Sequence, residues 1–266
     1  MKVKKIAIIG GGNLGTAIAR GLLSQELFKP SEIYITRRRT KLLSEFAQQG
    51  VLVSNDNIEA AKDANIIMLG VKPYQLDDIL NEIAPVLSAD TIMVSLATGV
   101  SSEQIQKACQ HSLSIFRAMP NTAVEIGESM TCISSLNASQ EQEEDILKLF
   151  TSMGQAIIIP EELMAASTVL AACGIAYAMR FIRAATQGGI EIGFGSKLAL
   201  QIAAQTVKGA ADLLIQKETH PEDEIDKVTT PRGVTISGLN EMEHQGFSSS
   251  LIKGLLTSFN KIENGK

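Results

Sequence analysis

Residues 6–15 read IAIIGGGNLG, and no other stretch constrains the chain as strongly. An apolar run of strand length enters the turn Gly10-Gly11-Gly12-Asn13-Leu14-Gly15. The helix-forming run Thr16-Ala17-Ile18-Ala19-Arg20-Gly21-Leu22-Leu23 follows at once. Strand, glycine turn and helix in that order are the setting in which a glycine fingerprint binds a dinucleotide. Gly10 would allow the sharp turn, Gly12 would let backbone approach a pyrophosphate, and Gly15 would let helix and strand pack closely. The first helical turn, with Asn13 and Leu14, would offer unpaired N–H groups and a positive dipole end to the phosphates. The bland alternative is a glycine turn with a purely structural role.

A chain of 266 residues is long enough for two domains. With 45% apolar residues, no Trp and few other aromatics, its core must be mostly aliphatic. A formal charge of −5 and the lack of a long basic block argue against a nucleic-acid surface. Lys2, Lys4 and Lys5 precede too short an apolar run for a signal-peptide core, so no export signal is expected. The longest apolar stretch, Val169–Met179, falls below membrane-spanning length, so no membrane partner is expected either. Cys109, Cys132 and Cys173, like His111, His220 and His244, are scattered and form no metal-ligand pattern. Reduced thiols in a cytoplasmic protein are the simplest reading.

Through the first 160 residues strand and helix signals alternate. Strands are expected at 5–10, 32–36, 65–70, 91–96 and 114–119, and helices at 13–23, 40–49, 74–86 and 102–109. Short, wholly apolar strands covered on both faces define a parallel, doubly wound (Rossmann-type) α/β sheet. Strands at 130–134 and 155–159, flanking a helix at 139–153, extend its edge. After Pro160 the strand signals fade. One long Ala-rich helix is expected at 161–187 and others at 196–217, 235–245 and 248–262. The expected organisation is therefore a dinucleotide-binding domain over 1–160 and an all-helical substrate and dimerisation domain over 161–266. Such long helices have little room to bury their apolar sides internally, so they are expected to pack against a second copy of the chain. A self-contained four-helix bundle is the alternative.

Cofactor choice is read from the end of the second strand. NAD-selective sites place a carboxylate there, about twenty residues past the glycine turn. Here the strand runs into Thr36-Arg37-Arg38-Arg39. Guanidiniums suit a ribose 2′-phosphate, and cations just before a helix sit where the macrodipole disfavours them unless a ligand compensates. Arg37 and Arg38 therefore point to NADPH, with NADH as the alternative; a solvated basic loop is the blander reading. Val71-Lys72-Pro73, Ala97-Thr98-Gly99 and the segment Arg117–Thr122, including Asn121, follow three further strands. They would form one wall of the cleft at the carboxyl edge. Lys72 is a candidate acid or a simple loop cap.

The second informative stretch is Thr229-Thr230-Pro231-Arg232-Gly233-Val234-Thr235-Ile236-Ser237-Gly238-Leu239, a polar turn leading into a helix. N–H groups of Gly233, Val234 and Thr235 at such a helix start could hold a small carboxylate. The Thr235 hydroxyl could donate to a ring atom beside the cofactor; alternatively Thr235 is only an N-cap.

These residues together resemble the pyrroline-5-carboxylate reductases, nearly end to end. The likeness covers the glycine turn, Val71-Lys72-Pro73, Arg117–Thr122 and Thr230–Leu239, the last being a specific signature of that family. The resemblance implies NADPH-dependent reduction of 1-pyrroline-5-carboxylate to L-proline, the last step of proline biosynthesis, by hydride transfer from nicotinamide C4 to the imine carbon. It implies a homodimer with interleaved helices, often built into larger rings. By position, Thr235 matches the threonine that hydrogen-bonds the imine nitrogen, Thr230 falls where the family usually has a serine near the substrate, and Asn57 matches an asparagine near the adenosine end. Two departures stand out. Arg232-Gly233 replaces the usual Gly-Gly, and Ala171-Ala172-Cys173-Gly174-Ile175-Ala176 replaces a Ser-Gly-Ser-Gly-Pro-Ala-type run. They leave two other readings: an NADP-binding regulatory paralogue with little turnover, and a related imine or β-hydroxyacid reductase.

Overall fold

The computed structural model describes residues 5–109 and 112–264; Lys2, Lys4 and His111 lie outside them. The apolar runs become one sheet of eight strands in the order β3-β2-β1-β4-β5-β6-β7-β8. These are β1 (Ile6–Ile9), β2 (Ile33–Thr36), β3 (Leu52–Ser54), β4 (Ile66–Leu69), β5 (Ile92–Ser95), β6 (Ser114–Met119), β7 (Ser129–Leu136) and β8 (Gly154–Ile158). The first six run parallel. β7 is antiparallel to β6 and parallel to β8. The helices α1 (Asn13–Ser24), α2 (Ser44–Gln48), α3 (Asn57–Ala61), α4 (Leu76–Ile83), α5 (Ser102–Cys109) and α6 (Gln140–Thr151) connect them. This is the doubly wound sheet expected from the sequence.

Strand side chains alternate between two buried clusters, as the twofold strand period requires. Ile6, Ile8, Ile66, Met68, Val94 and Phe116 pack with Ile18, Leu22, Phe46 and Phe150 on one face. Ala7, Ile9, Ile67, Leu69, Met93 and Ile115 pack with Leu80, Ile83 and Ile105 on the other. The chain moves outward from β1 to β3 and then returns to β4 on the other side of β1. That reversal opens a crevice between the carboxyl ends of β1 and β4, where ligands of doubly wound sheets bind.

The segment expected as one helix over 161–187 differs in detail. It is a 3₁₀ turn at Glu161–Leu163, α7 (Met164–Ser167), a π-helical turn at Thr168–Cys173 and α8 (Gly174–Glu191). Within the wide turn, the Ala171 carbonyl accepts the Asn121 Nδ2–H (3.3 Å), and the buried Thr168 hydroxyl donates back to Met164 (2.7 Å). Both give backbone or hydroxyl groups partners outside the regular i to i+4 ladder.

Contacts divide the chain into two compact units, 1–173 with 258–266, and 174–257. The first thus runs past residue 160, because 161–173 packs against β6 and β7. Glu161 is central to that packing. Its Oε1 accepts the Ser102 N–H (2.7 Å) and an Arg117 Nη1–H (3.1 Å), and Arg117 is only 6% exposed. Burial alone pushes the Glu161 carboxyl up; the Ser102 N–H and the Arg117 guanidinium outweigh it and hold it below its ordinary value. Glu161→Gln should therefore cost about 2 kcal/mol, less than a fully buried pair because part of Glu161 meets solvent. A carboxyl depressed by folding stabilises the native state above its unfolded pKa and loses that contribution as pH falls through the folded one. Denaturant melts of the two proteins should differ by a constant amount above about pH 5 and converge on acidification; a gap that widens in acid would contradict the assignment.

The second unit holds α8, α9 (Ser196–Lys217), α10 (Pro221–Lys227), α11 (Val234–His244) and the first part of α12 (Phe247–Glu263). Along these helices only the small side chains of Thr186 and Ala199 are buried. Met179, Leu198, Leu200, Ile215 and Ile252 are among the large apolar residues left open. By length and composition alone, Glu161–Glu191 and Ser196–Lys217 would be able to span a bilayer. The short apolar run read from the sequence understated this, since polar residues interrupt a longer apolar average.

Candidate active site

The crevice at the sheet's switch point is a cavity of about 840 Å³. Gly10, Gly11 and Gly12 form its floor, and Val71 and Lys72 the β4 side. Arg37, Arg38, Arg39 and Asn57 lie beyond β2 and β3, and Tyr74, Asp78 and Glu82 along the α4 side.

The three fingerprint glycines have separate physical reasons. Gly10 has φ +107°, and a Cβ there would stand 2.6 Å from the Gly70 carbonyl oxygen. A Cβ on Gly15 would overlap the Gly10 carbonyl oxygen, so α1 can approach β1 only because none is present. At Gly12 an added Cβ meets no protein atom within 4 Å. Gly12 is also the N-cap of α1, with no side-chain cap. The unfilled space therefore lies at the positive end of a helix, where a pyrophosphate would approach backbone. The residues fit a dinucleotide.

Of the candidate cofactor residues, the structure brings Gly10, Gly12, Arg37, Arg38, Asn57, Val71 and Lys72 around this cavity. Asn13, Leu14, Gly15 and Pro73 adjoin it in sequence without lining it. Ala97, Thr98 and Gly99 follow β5, with Gly99 at φ +79°. Gly99 lines a separate cavity of about 400 Å³ with Arg117 and Glu161. The Asn121 side chain is engaged within the protein: its Oδ1 accepts the Ala123 N–H and its Nδ2 donates to Ala171. Arg37 turns inward and donates to the Gly11 carbonyl oxygen (2.8 Å). It braces the glycine turn, while Arg38 and Arg39 also face the cavity. Arg39, Tyr74, Asp78 and Glu82 are lining residues that the sequence reading missed as cofactor contacts. Arg39 was visible in the triple-arginine run; Tyr74, in the 3₁₀ turn before α4, and Asp78 and Glu82, on α4, carry no local signal.

In the second unit, Gly233 is the N-cap of α11 with no side-chain cap, and Thr235 is the second helical residue. The N-cap reading of Thr235 is thus corrected. Among the described residues no hydrogen bond engages its hydroxyl, and it is exposed. The Gly233 N–H is not free, because it donates to the Thr230 carbonyl oxygen (2.8 Å). That closes the tight turn and leaves Val234 and Thr235 to offer the helix-end N–H groups. A Cβ at Gly233 would stand 2.5 Å from Thr230 Oγ1, so this glycine is required by its turn. Arg232 has φ +59°, a left-handed conformation that glycine adopts more easily, which accounts for the usual Gly-Gly at this point.

A doubly wound sheet with a fitted glycine cradle at its switch point defines a dinucleotide-binding protein. Residues 5–99 match the family described as NADP oxidoreductase, coenzyme F420-dependent, and residues 161–264 match pyrroline-5-carboxylate reductase dimerisation. The chain is 44% identical over 268 residues to pyrroline-5-carboxylate reductase 1 of Dictyostelium discoideum, covering 96% of this chain and 49% of that one. It is 41% identical to reductase 2 of the same organism, covering 97% and 92%, and 32% identical to the Escherichia coli reductase, covering 98% and 97%. The chain thus spans about half the length of the first relative and nearly all of the other two. Among solved structures, the fold matches the Coxiella burnetii reductase (TM-score 0.88, 27% identity, 99% and 98% covered). It also matches the Plasmodium falciparum enzyme solved with NADP bound (TM-score 0.91, 23% identity, 99% and 98% covered). The chain belongs to the pyrroline-5-carboxylate reductase family of oxidoreductases.

Proposed function

We propose that this chain reduces 1-pyrroline-5-carboxylate to L-proline with NADPH. The observation that carries the reading is the Gly12 cradle at the switch point, in a chain whose family performs this reaction. When bound, NADPH supplies a hydride from nicotinamide C4 to the imine carbon. The protein binds and orients. The N–H groups of Gly10, Gly11 and Gly12 are engaged by the Thr36 and Gly10 carbonyls and shape the turn, so the first turn of α1 holds the pyrophosphate, with Lys72 adding charge beside it. The N–H groups of Val234 and Thr235 hold the substrate carboxylate, and the Thr235 hydroxyl donates to the imine nitrogen. Thr230 stands beside this turn. A substrate that arrives as the protonated iminium needs no strong acid, consistent with the scattered histidines. Steady-state oxidation of NADPH by pyrroline-5-carboxylate tests the reading: proline must form in step with NADPH loss. Tight NADPH binding without turnover would instead identify a regulatory paralogue.

Arg38 and Arg39 read the 2′-phosphate, and Arg37 acts through the glycine turn. Arg38→Ala should weaken NADPH about tenfold and leave NADH within about twofold, since only one cofactor carries the phosphate. Arg37→Ala should weaken both, because both need the braced turn. Fluorescence titration with each cofactor separates the two effects, and equal loss of both cofactors in Arg38→Ala would remove it from phosphate reading.

The open apolar faces of α8, α9 and α12 are covered by a second copy of the chain, giving a homodimer that can build larger rings. The match of 161–264 to a dimerisation family supports this over a membrane or a closed bundle. Sedimentation should show no monomer at micromolar concentration. Cys109, Cys132 and Cys173 are free, in keeping with a cytoplasmic setting.

A further inference from the structure

Two carboxylates, Asp78 and Glu82, are anomalies of the cofactor cavity, and Glu82 accepts a hydrogen bond from another lining residue. A carboxylate lines a pocket that we read as holding a polyanion. On charge alone it opposes binding, so its presence asks for another role. The hydrogen bonds supply one. The Thr36 hydroxyl, at the end of β2 and 2% exposed, donates to Asn57 Oδ1 (2.7 Å). Asn57 Nδ2 in turn donates to Glu82 Oε2 (2.9 Å), across from α3 to α4.

An asparagine amide can flip, exchanging its acceptor and donor ends at little cost in shape. A hydroxyl does not decide between the two, because it both donates and accepts. A carboxylate does decide, because when ionised it only accepts. Glu82 therefore fixes the NH₂ end of Asn57 toward α4 and the carbonyl end toward Thr36. One Nδ2–H is used by Glu82 and one remains as a donor on a residue that lines the cavity beside Arg37 and Arg38. A phosphate accepts and never donates at this position, whereas a ribose 2′-hydroxyl does both. A locked donor favours the phosphate.

We propose that Glu82 is a positioning residue for cofactor choice: it locks the Asn57 amide as a hydrogen-bond donor toward the ribose 2′-phosphate and so helps the chain prefer NADPH to NADH. This rests on reading the cavity as the NADPH site.

The test is titration of the full-length protein with NADPH and NADH, followed by cofactor fluorescence, for wild type, Glu82→Ala, Glu82→Gln and Asn57→Ala. Glu82→Ala should raise the NADPH Kd about tenfold and change the NADH Kd less than about threefold. Glu82→Gln presents an amide that can itself flip, so it holds Asn57 only in part and should fall between wild type and Glu82→Ala. In an Asn57→Ala background, adding Glu82→Ala should change selectivity no further. If Glu82 acted only through its charge, Ala and Gln would both tighten NADPH, and that result overturns the proposal. Equal weakening of both cofactors by Glu82→Ala, or no change in either, also overturns it while leaving the NADPH site intact. A wild-type protein that binds neither cofactor overturns both the site and the proposal. Thermal melts confirm that each variant is folded before titration.

Discussion

Gly12→Ala is expected to lower NADPH affinity more than about 100-fold while leaving the folded protein nearly as stable as before. The argument separates space for protein from space for ligand. The backbone at Gly12 has φ −80° and ψ −166°, which any L-residue adopts without strain. The new methyl would meet no protein atom within 4 Å. What it does meet is the volume into which a pyrophosphate must come to reach the N–H groups of the first turn of α1. Holding the phosphates a bond length further out weakens several charge-assisted hydrogen bonds at once. Gly15→Ala is the control. Its methyl would overlap the Gly10 carbonyl oxygen, so it should cost about 3 kcal/mol of stability through forced separation of α1 and β1. Chemical denaturation and NADPH titration of both variants check the contrast. A Gly12→Ala protein that binds NADPH normally would mean the cofactor does not lie over this turn.

That contrast also shows what the sequence made legible. The roles of Gly10, Gly12 and Gly15 follow from chain order, because strand, turn and helix are contiguous and their contacts local. The central strands were legible for a related reason. Both faces are buried, so their composition is uniformly apolar. β3 escaped notice because it is a three-residue edge strand whose Leu52 is 41% exposed. α10 escaped because its sequence PEDEIDK buries nothing and has no apolar face to show a period. The π-helical turn at Thr168–Cys173 depends on partners such as Asn121, fifty residues away. The same distance in sequence explains the cofactor residues that were missed. Glu82 meets Asn57 only because α3 and α4 lie side by side, across 25 positions. Arg37 looked like a phosphate ligand equal to Arg38, and only the bond to Gly11 distinguishes them.

Thr235→Ala should lower kcat/KM for pyrroline-5-carboxylate about 100-fold and leave the NADPH Kd within about twofold. The hydroxyl is exposed at the second position of α11 and serves no cap, so its loss costs the fold little. In the proposed site it donates to the imine nitrogen, whose charge and geometry change as the carbon accepts hydride. A positioned donor of this kind contributes on the order of 10²-fold, comparable to one oxyanion-hole hydrogen bond. Its benefit is realised more in the transition state than in the ground state, so most of the loss should fall on kcat rather than KM. Thr235→Ser retains the hydroxyl and should recover most of the rate, whereas Thr235→Val keeps the shape and should not. A loss confined to KM would reassign Thr235 to substrate binding alone, and a Val variant as active as wild type would remove its hydroxyl from the reaction.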